Sequence, residues 1–235
     1  APAVALRLQH LPGLVVAGVV ADVVVRGGHL VTPSGVVRSD LAVTDGVIAA
    51  VGEGLSGRAE IDPGGLYVFP GLIDAHVHLN EPGRTHWAGF RSGSAALAAG
   101  GGTVFLEMPL NADPPLLSPA QFGLKRAAAE RSSLTDFALW GGLTPDNLGE
   151  MAALAACGVV GFKAFMSNSG IPEFRAVDDY ALFEGLARAA DLGLPVAVHA
   201  ESEALTAGLG AKRQAAGGRS AADYLASRPP VAEWE

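Results

Sequence analysis

From Ala21 to about Gly65 apolar and polar positions alternate in short runs; beyond Leu66 they give way to solid apolar stretches separated by helical periodicity. In the first part Asp22 to Val25, Leu30 to Thr32, Leu41 to Thr44 and Val47 to Val51 read as strands. Asp45-Gly46 stands between the last two, and Asp-Gly predicts a two-residue hairpin because both turn positions need φ > 0. Asp62-Pro63-Gly64-Gly65 then breaks the pattern. These signals predict a small β domain over 21–65 with an unfinished sheet, while 1–20 form an uninterpreted N-terminal extension.

The second rhythm predicts strands at Leu72 to Leu79, Thr103 to Met108, Asp136 to Trp140, Val159 to Met166 and Pro195 to Ala200. Helices fit between them. Ser118-Pro119-Ala120-Gln121 reads as a capping box with proline at the first helical position, and Thr144-Pro145 opens another helix in the same way. A third begins near Asp178, with Tyr180, Phe183, Leu186 and Ala190 on its apolar face and Gly193 as its stop. Strands alternating with helices give right-handed βαβ units on a parallel sheet, so the fold class is α/β over 66–235. Units of about 30 residues suit a (β/α)8 barrel or a doubly wound sheet equally.

Composition removes several classes of function. The 235 residues carry 16 Lys+Arg against 24 Asp+Glu, a net charge of −8, with 49% hydrophobic residues. A nucleic-acid or anionic-membrane partner would require a basic surface that this balance does not supply. No run reaches the ~18 consecutive apolar residues of a membrane span. Arg7 ahead of an apolar run ending at Ala21 has the outline of a secretion signal. The same run also leads straight into the alternating stretch from Ala21 to Val25. One cysteine, Cys157, forms no internal disulfide, which makes a cytoplasmic protein the expectation.

The chemistry gathers at strand ends. His76 and His78 lie at i and i+2 of an extended run, so their side chains share a face with Cα atoms roughly 6.6 Å apart, a spacing suited to one cation. The bland alternative is a pair of surface or hydrogen-bonded histidines; the following Glu81-Pro82-Gly83 loop is where parallel barrels build their sites. Lys163 sits inside the apolar run Val159 to Met166. It either snorkels to solvent or is a buried amine of lowered pKa, able to form a Schiff base or to add carbon dioxide as a carbamate. His199 ends the run from Pro195, as a core histidine or a ligand. His10 and His29 read as surface residues, and His86 as a loop or helix-start residue that could line a pocket.

The string Pro70 to Gly83 with Lys163 and His199 resembles the amidohydrolase superfamily and, within it, the cyclic amidohydrolases: dihydroorotase, hydantoinase and, nearest in motif, allantoinase. The matching segments are Glu81-Pro82-Gly83-Arg84-Thr85-His86-Trp87, Glu107-Met108-Pro109-Leu110-Asn111, Gly161-Phe162-Lys163 and Ser227-Arg228-Pro229. The resemblance spans about residue 21 to the end. It implies a metal-dependent (β/α)8 TIM barrel with a small N-terminal β-sandwich, and a homo-oligomer acting on a small-molecule cyclic amide. It implies two divalent metal ions, zinc foremost, with iron, cobalt or manganese suited to the same donors. His76 and His78 would bind one ion, a carboxylated Lys163 made with carbon dioxide would bridge the two, and His199 would bind the other. The implied reaction is attack of a metal-activated water on a ring amide carbonyl.

The family's further histidine and its catalytic aspartate match no position after His199, because Asp223 stands in a helical context and reads as a surface residue. The aspartate is therefore expected beyond Glu235. Five strands where a barrel of ~250 residues takes eight lead to the same expectation of an incomplete domain. A dihydroorotase is expected to carry arginine two residues after the second histidine, to clamp the substrate carboxylate. Asn80 occupies that place, which favours a neutral ureido-hydantoin such as allantoin over a carboxylate-bearing ring. Asn80 and Asn111 are the candidate substrate contacts, Asn111 having the alternative of satisfying loop backbone. Arg84 is pocket wall or surface, and Glu81 and Glu201 are candidate partners for the histidines. A non-enzymatic scaffold relative is the rival; it would be free to lose His76, His78, Lys163 or His199, and all four are present.

Overall fold

The alternating stretch folds as β1 (Ala21–Thr32), β2 (Gly35–Thr44), β3 (Val47–Gly52), β4 (Gly57–Ile61) and β5 (Tyr67–Val68) in a computed structural model describing residues 20–234. Strand order is β3-β2-β1-β4, with β5 also on β1, one layer of the expected sandwich. The two strands expected at Asp22 and Leu30 are a single strand with a register shift between Val25 and Gly28. Gly27 takes φ +64 at this bulge, and its amide donates to buried Asp40 at 2.8 Å, so an amide removed from the ladder keeps a partner. Asp45 and Gly46 have φ 51 and 74 between Thr44 and its partner Val47, the primed turn the dipeptide predicts. The parallel pairing of Tyr67–Val68 with β1 carries this unit past Gly65, and it ends at Gly71. The secretion-signal reading and His10 lie outside the described residues.

The second unit, Leu72–Glu235, alternates β6 (Leu72–Val77), α1 (Phe90–Ala99), β7 (Gly102–Glu107), α2 (Pro119–Ser132), β8 (Asp136–Leu139), β9 (Gly141–Gly142), α3 (Met151–Cys157), β10 (Phe162–Phe165), α4 (Asp179–Asp191), β11 (Val196–His199), α5 (Glu203–Ala215), α6 (Ala221–Ala226) and α7 (Val231–Trp234). Every pairing in it is parallel, in the orders β6-β7-β8 and β9-β10-β11. Trp140 alone separates β8 from β9, so five strand positions follow one another in chain order, the sequential arrangement of a (β/α) barrel wall. Phe90 and Phe105 pack with Phe137 under β7, while Leu116, Leu143, Leu154 and Phe162 fill the space beneath β10. Among the described residues no helix is long and apolar enough to cross a membrane.

Three local expectations are corrected. At α2 the Ser118 side chain makes no capping bond, and Gln121 instead accepts from the Leu117 amide at 2.9 Å, one residue before the expected cap. Thr144-Pro145 does not open a helix: Asn147 Oδ1 accepts from the Thr144 amide at 2.8 Å and its Nδ2 donates to the Leu117 and Gly142 carbonyls. That side chain occupies backbone groups a helix would use, and a 3-10 turn at Leu148–Glu150 precedes α3. Asp178 does cap α4, accepting from Ala181 at 2.7 Å, but the helix faces the other way round. Ala181, Gly185 and Ala189 are buried, whereas Tyr180 and Phe183 are 70% and 68% exposed. Leu143 occupies the space that a side chain at Gly185 would need, so the helix comes close only through its small residues.

Candidate metal centre

β6 ends at Val77, which leaves His78 one residue past the strand rather than inside it. The β6–β7 register shifts between Asp74 and Val77, and Asp74 Oδ1 accepts from the His76 amide at 3.1 Å within that irregularity. The rings still converge, with Nε2 of His76 3.3 Å from Nε2 of His78. Burial, then His76, pushes His78 down to about 4. Burial, then Lys163, lowers His76 as well. Both imidazoles are thus held neutral, the form that offers a lone pair. His78 hydrogen-bonds the Leu110 backbone, and the Asn111 amide lies 3.3 Å from its Nδ1.

Lys163 lies mid-strand in β10, paired with Gly142 and Ala197, and is 5% exposed. Its Nζ stands 5.1 Å from the centre of the Phe165 ring. Burial lowers its pKa, and no acidic group opposes that shift. Burial in this place disfavours the ammonium relative to the neutral amine. His199 closes β11 opposite Phe165, ring centroids 4.7 Å apart at an 18° interplanar angle. Its Nε2 lies 2.6 Å from Glu201 Oε2, which also accepts from Arg228 Nη1 at 2.5 Å and Ser167 Oγ at 3.3 Å. Burial raises the Glu201 pKa, but bonds from His199 and Arg228 prevail and hold it below the usual carboxylate range.

Among the described residues no three His, Cys, Asp or Glu side chains come together as a metal cage. Lys163 and His199 both lie close enough for charge on them to disfavour a charged His76, while Asp74 favours it. Two converging neutral imidazoles beside a buried amine with no acidic partner fit a divalent cation once that amine becomes an oxygen donor. The remaining sequence candidates divide. Asn80 is 7% exposed with φ 55, and its Oδ1 is buried without a partner. Asn111, at φ 66, sets its side chain against His78. Glu81 is corrected: it accepts from the Phe90 amide at 2.9 Å and caps α1 instead of a histidine. Arg84 donates to the Asn111 carbonyl and lies over the Trp87 ring. His29 is half-buried against Tyr67, His86 is exposed beside Trp87, and Asp223 forms the capping box of α6 with Ser220.

Sequence reasoning missed the support under this centre. Glu107, at the end of β7, accepts from the Leu79 amide at 2.9 Å and faces Lys125 Nζ at 2.9 Å, with both side chains 1% exposed or less. Burial raises the Glu107 pKa and lowers that of Lys125, and each partner opposes the other's shift. The pair pins the backbone directly after His78. Its only signal in the chain is an acid ending an apolar strand and needing a cation from elsewhere.

The model of the amidohydrolase family matches residues 67–230. An allantoinase of Solibacter usitatus is 57% identical over 92% of this chain and 47% of its own length. An allantoinase of Rubrobacter xylanophilus is 56% identical over 91% of this chain and 47% of its own. Among solved structures, an L-hydantoinase (dihydropyrimidinase) from Arthrobacter aurescens superposes with a TM-score of 0.86 at 36% identity, covering 91% of this chain and 48% of that one. The chain spans about half the length of the curated relatives it matches.

Proposed function

This chain belongs to the amidohydrolase family, and we propose that the protein hydrolyses a cyclic amide, opening the hydantoin ring of allantoin to give allantoate. The observation that carries the reaction class is the approach of the His76 and His78 Nε2 atoms to 3.3 Å, with Lys163 of β10 near enough for its charge to act on His76. Bound divalent metal would supply an acidified water and a Lewis acid for the ring carbonyl. His76 and His78 would hold one ion and His199 the other; zinc suits these donors, and iron, cobalt and manganese accept them too. Lys163 would supply an anionic oxygen ligand: its neutral Nζ bonds to the carbon of carbon dioxide as one C–O π bond breaks, and gives one proton to solvent, leaving a carbamate. Burial in the strand beside Phe165 lowers the pKa of that amine and so favours its neutral, reactive form.

Asn80 supports the choice of ring. It occupies the place where a carboxylate clamp would stand, carries no charge, and is enclosed so that a long cation would not fit without displacing its neighbours. The named allantoinase relatives support the same substrate. Hydantoin and dihydropyrimidine rings are the second reading, favoured by the solved L-hydantoinase. Steady-state hydrolysis of allantoin, dihydroorotate, hydantoin and dihydrouracil by the metal-loaded protein separates them. Allantoin should be opened far faster than dihydroorotate; comparable kcat/KM for the two would overturn the substrate assignment.

A further inference from the structure

We propose that Trp140 is a positioning residue, whose indole sets the spacing between the strand that carries His76 and His78 and the strand that carries Lys163. The proposal rests on the reading of those three residues as metal donors. Trp140 is 8% exposed and follows β8, and β7 lies between β8 and β6 in the sheet. Its side chain nevertheless reaches β6, where Nε1 donates to the carbonyl of Ala75, the residue before His76, at 3.1 Å. Another edge of the same ring faces the start of β10: a methyl group at Gly161 would stand 2.4 Å from Cζ3 and 2.9 Å from Cε3. Gly161 comes two residues before Lys163, a spacing that puts both on one face of an extended chain. One rigid aromatic plate thus touches both donor strands.

Ladder bonds alone do not fix the histidine pair. The β6–β7 pairing shifts between Asp74 and Val77 and resumes where the Met108 amide donates to the Val77 carbonyl at 2.8 Å. Ala75 and His76 lie within the shift, where the neighbouring strand leaves the backbone unpaired. The indole occupies that place from a fixed base, since the Trp140 amide donates to the Glu107 carbonyl at 3.0 Å. Past the pair, the Leu79 amide donates to Glu107 Oε2 at 2.9 Å. His76-Val77-His78 is therefore held at both ends by side chains. The fused ring has no internal rotation, so a displacement at its Gly161 edge moves Nε1 and the backbone bonded to it. A ring that merely filled the core would need neither an N–H aimed at the irregular strand nor a glycine against its other edge.

The test measures zinc and cobalt(II) binding by the metal-stripped protein in the wild type, Trp140→Phe and Gly161→Ala. A further protein carries 3-benzothienylalanine in place of Trp140, which keeps the shape of the ring and removes only the N–H. Met151→Ala, at a buried position of α3 that makes neither contact, supplies a loss of stability for comparison. Chelator-competed titration should show about a 10-fold weaker zinc affinity in Trp140→Phe and Gly161→Ala, and a smaller loss in the benzothienyl protein. The visible cobalt(II) bands, which report the geometry of the donors, should change in all three. Met151→Ala should unfold at lower urea yet bind both metals as the wild type does. If Trp140→Phe does not fold, Gly161→Ala and the benzothienyl protein carry both readouts. Wild-type affinity and cobalt(II) bands in the folded variants, or an equal loss in Met151→Ala, would overturn the proposal alone. Full zinc stoichiometry in the double variant His76→Ala with His78→Ala would overturn the donor reading, and the proposal with it.

Discussion

The Trp140 indole donates its Nε1 proton to the Ala75 carbonyl at 3.1 Å, tying the break between β8 and β9 to the irregular stretch of β6 that presents His76. The β6 pairing with β7 shifts across this stretch, so the indole takes the place of a ladder partner. Gly161 makes room for the ring: a methyl group there would stand 2.4 Å from Trp140 Cζ3.

Trp140→Phe should therefore cost about 1–3 kcal/mol of stability, from one lost hydrogen bond and the unfilled part of the ring volume. Gly161→Ala should act in the same direction by displacing the indole. Denaturant unfolding followed by circular dichroism measures both, and wild-type stability in either variant would contradict the tie.

The Glu107–Lys125 pair yields a prediction with an internal control. Lys125→Met leaves a buried carboxylate without its cation and should cost about 3–5 kcal/mol. Glu107→Gln with Lys125→Met removes both charges yet keeps an acceptor for the Leu79 amide, and should recover most of that loss. Glu107→Leu with Lys125→Met strands the amide and should recover less. Equal stability of the two double variants in urea titrations would show that the amide contact contributes nothing.

Lys163→Ala should abolish uptake of labelled bicarbonate carbon at the centre and weaken binding of one metal ion, with partial rescue by added short carboxylic acids. Metal content after gel filtration and carbon NMR of the labelled protein check this. An unmodified ammonium at full metal occupancy would refute the carbamate.

Asn80→Arg should improve carboxylate-bearing rings only modestly. Arginine must adopt φ 55 and enter a space in which Asn80 is almost wholly enclosed, at a cost of roughly 1–3 kcal/mol. Thermal unfolding together with kcat/KM on dihydroorotate tests both halves of the expectation.

What the chain determines by itself is what depends on neighbours in sequence. The Asp45-Gly46 turn, the alternation of β2 and β3 and the helix start at Asp178 follow from local dihedral preference and short-range hydrogen bonding, and are legible without a structure. So is the closeness of His76 and His78, since two residues of extended chain cannot separate them far. The rest was decided by tertiary structure. Asn147 withdraws the backbone groups a helix at Thr144 would use, by reaching Leu117. Leu143 turns the small face of α4 inward against the apparent apolar stripe, because close approach of backbones outweighs the burial that Tyr180 and Phe183 would bring. Glu107 meets Lys125 and Glu201 meets Arg228 across long stretches of chain, and no periodicity encodes such a meeting: the desolvation of a buried charge is satisfied by whichever partner the fold brings within reach.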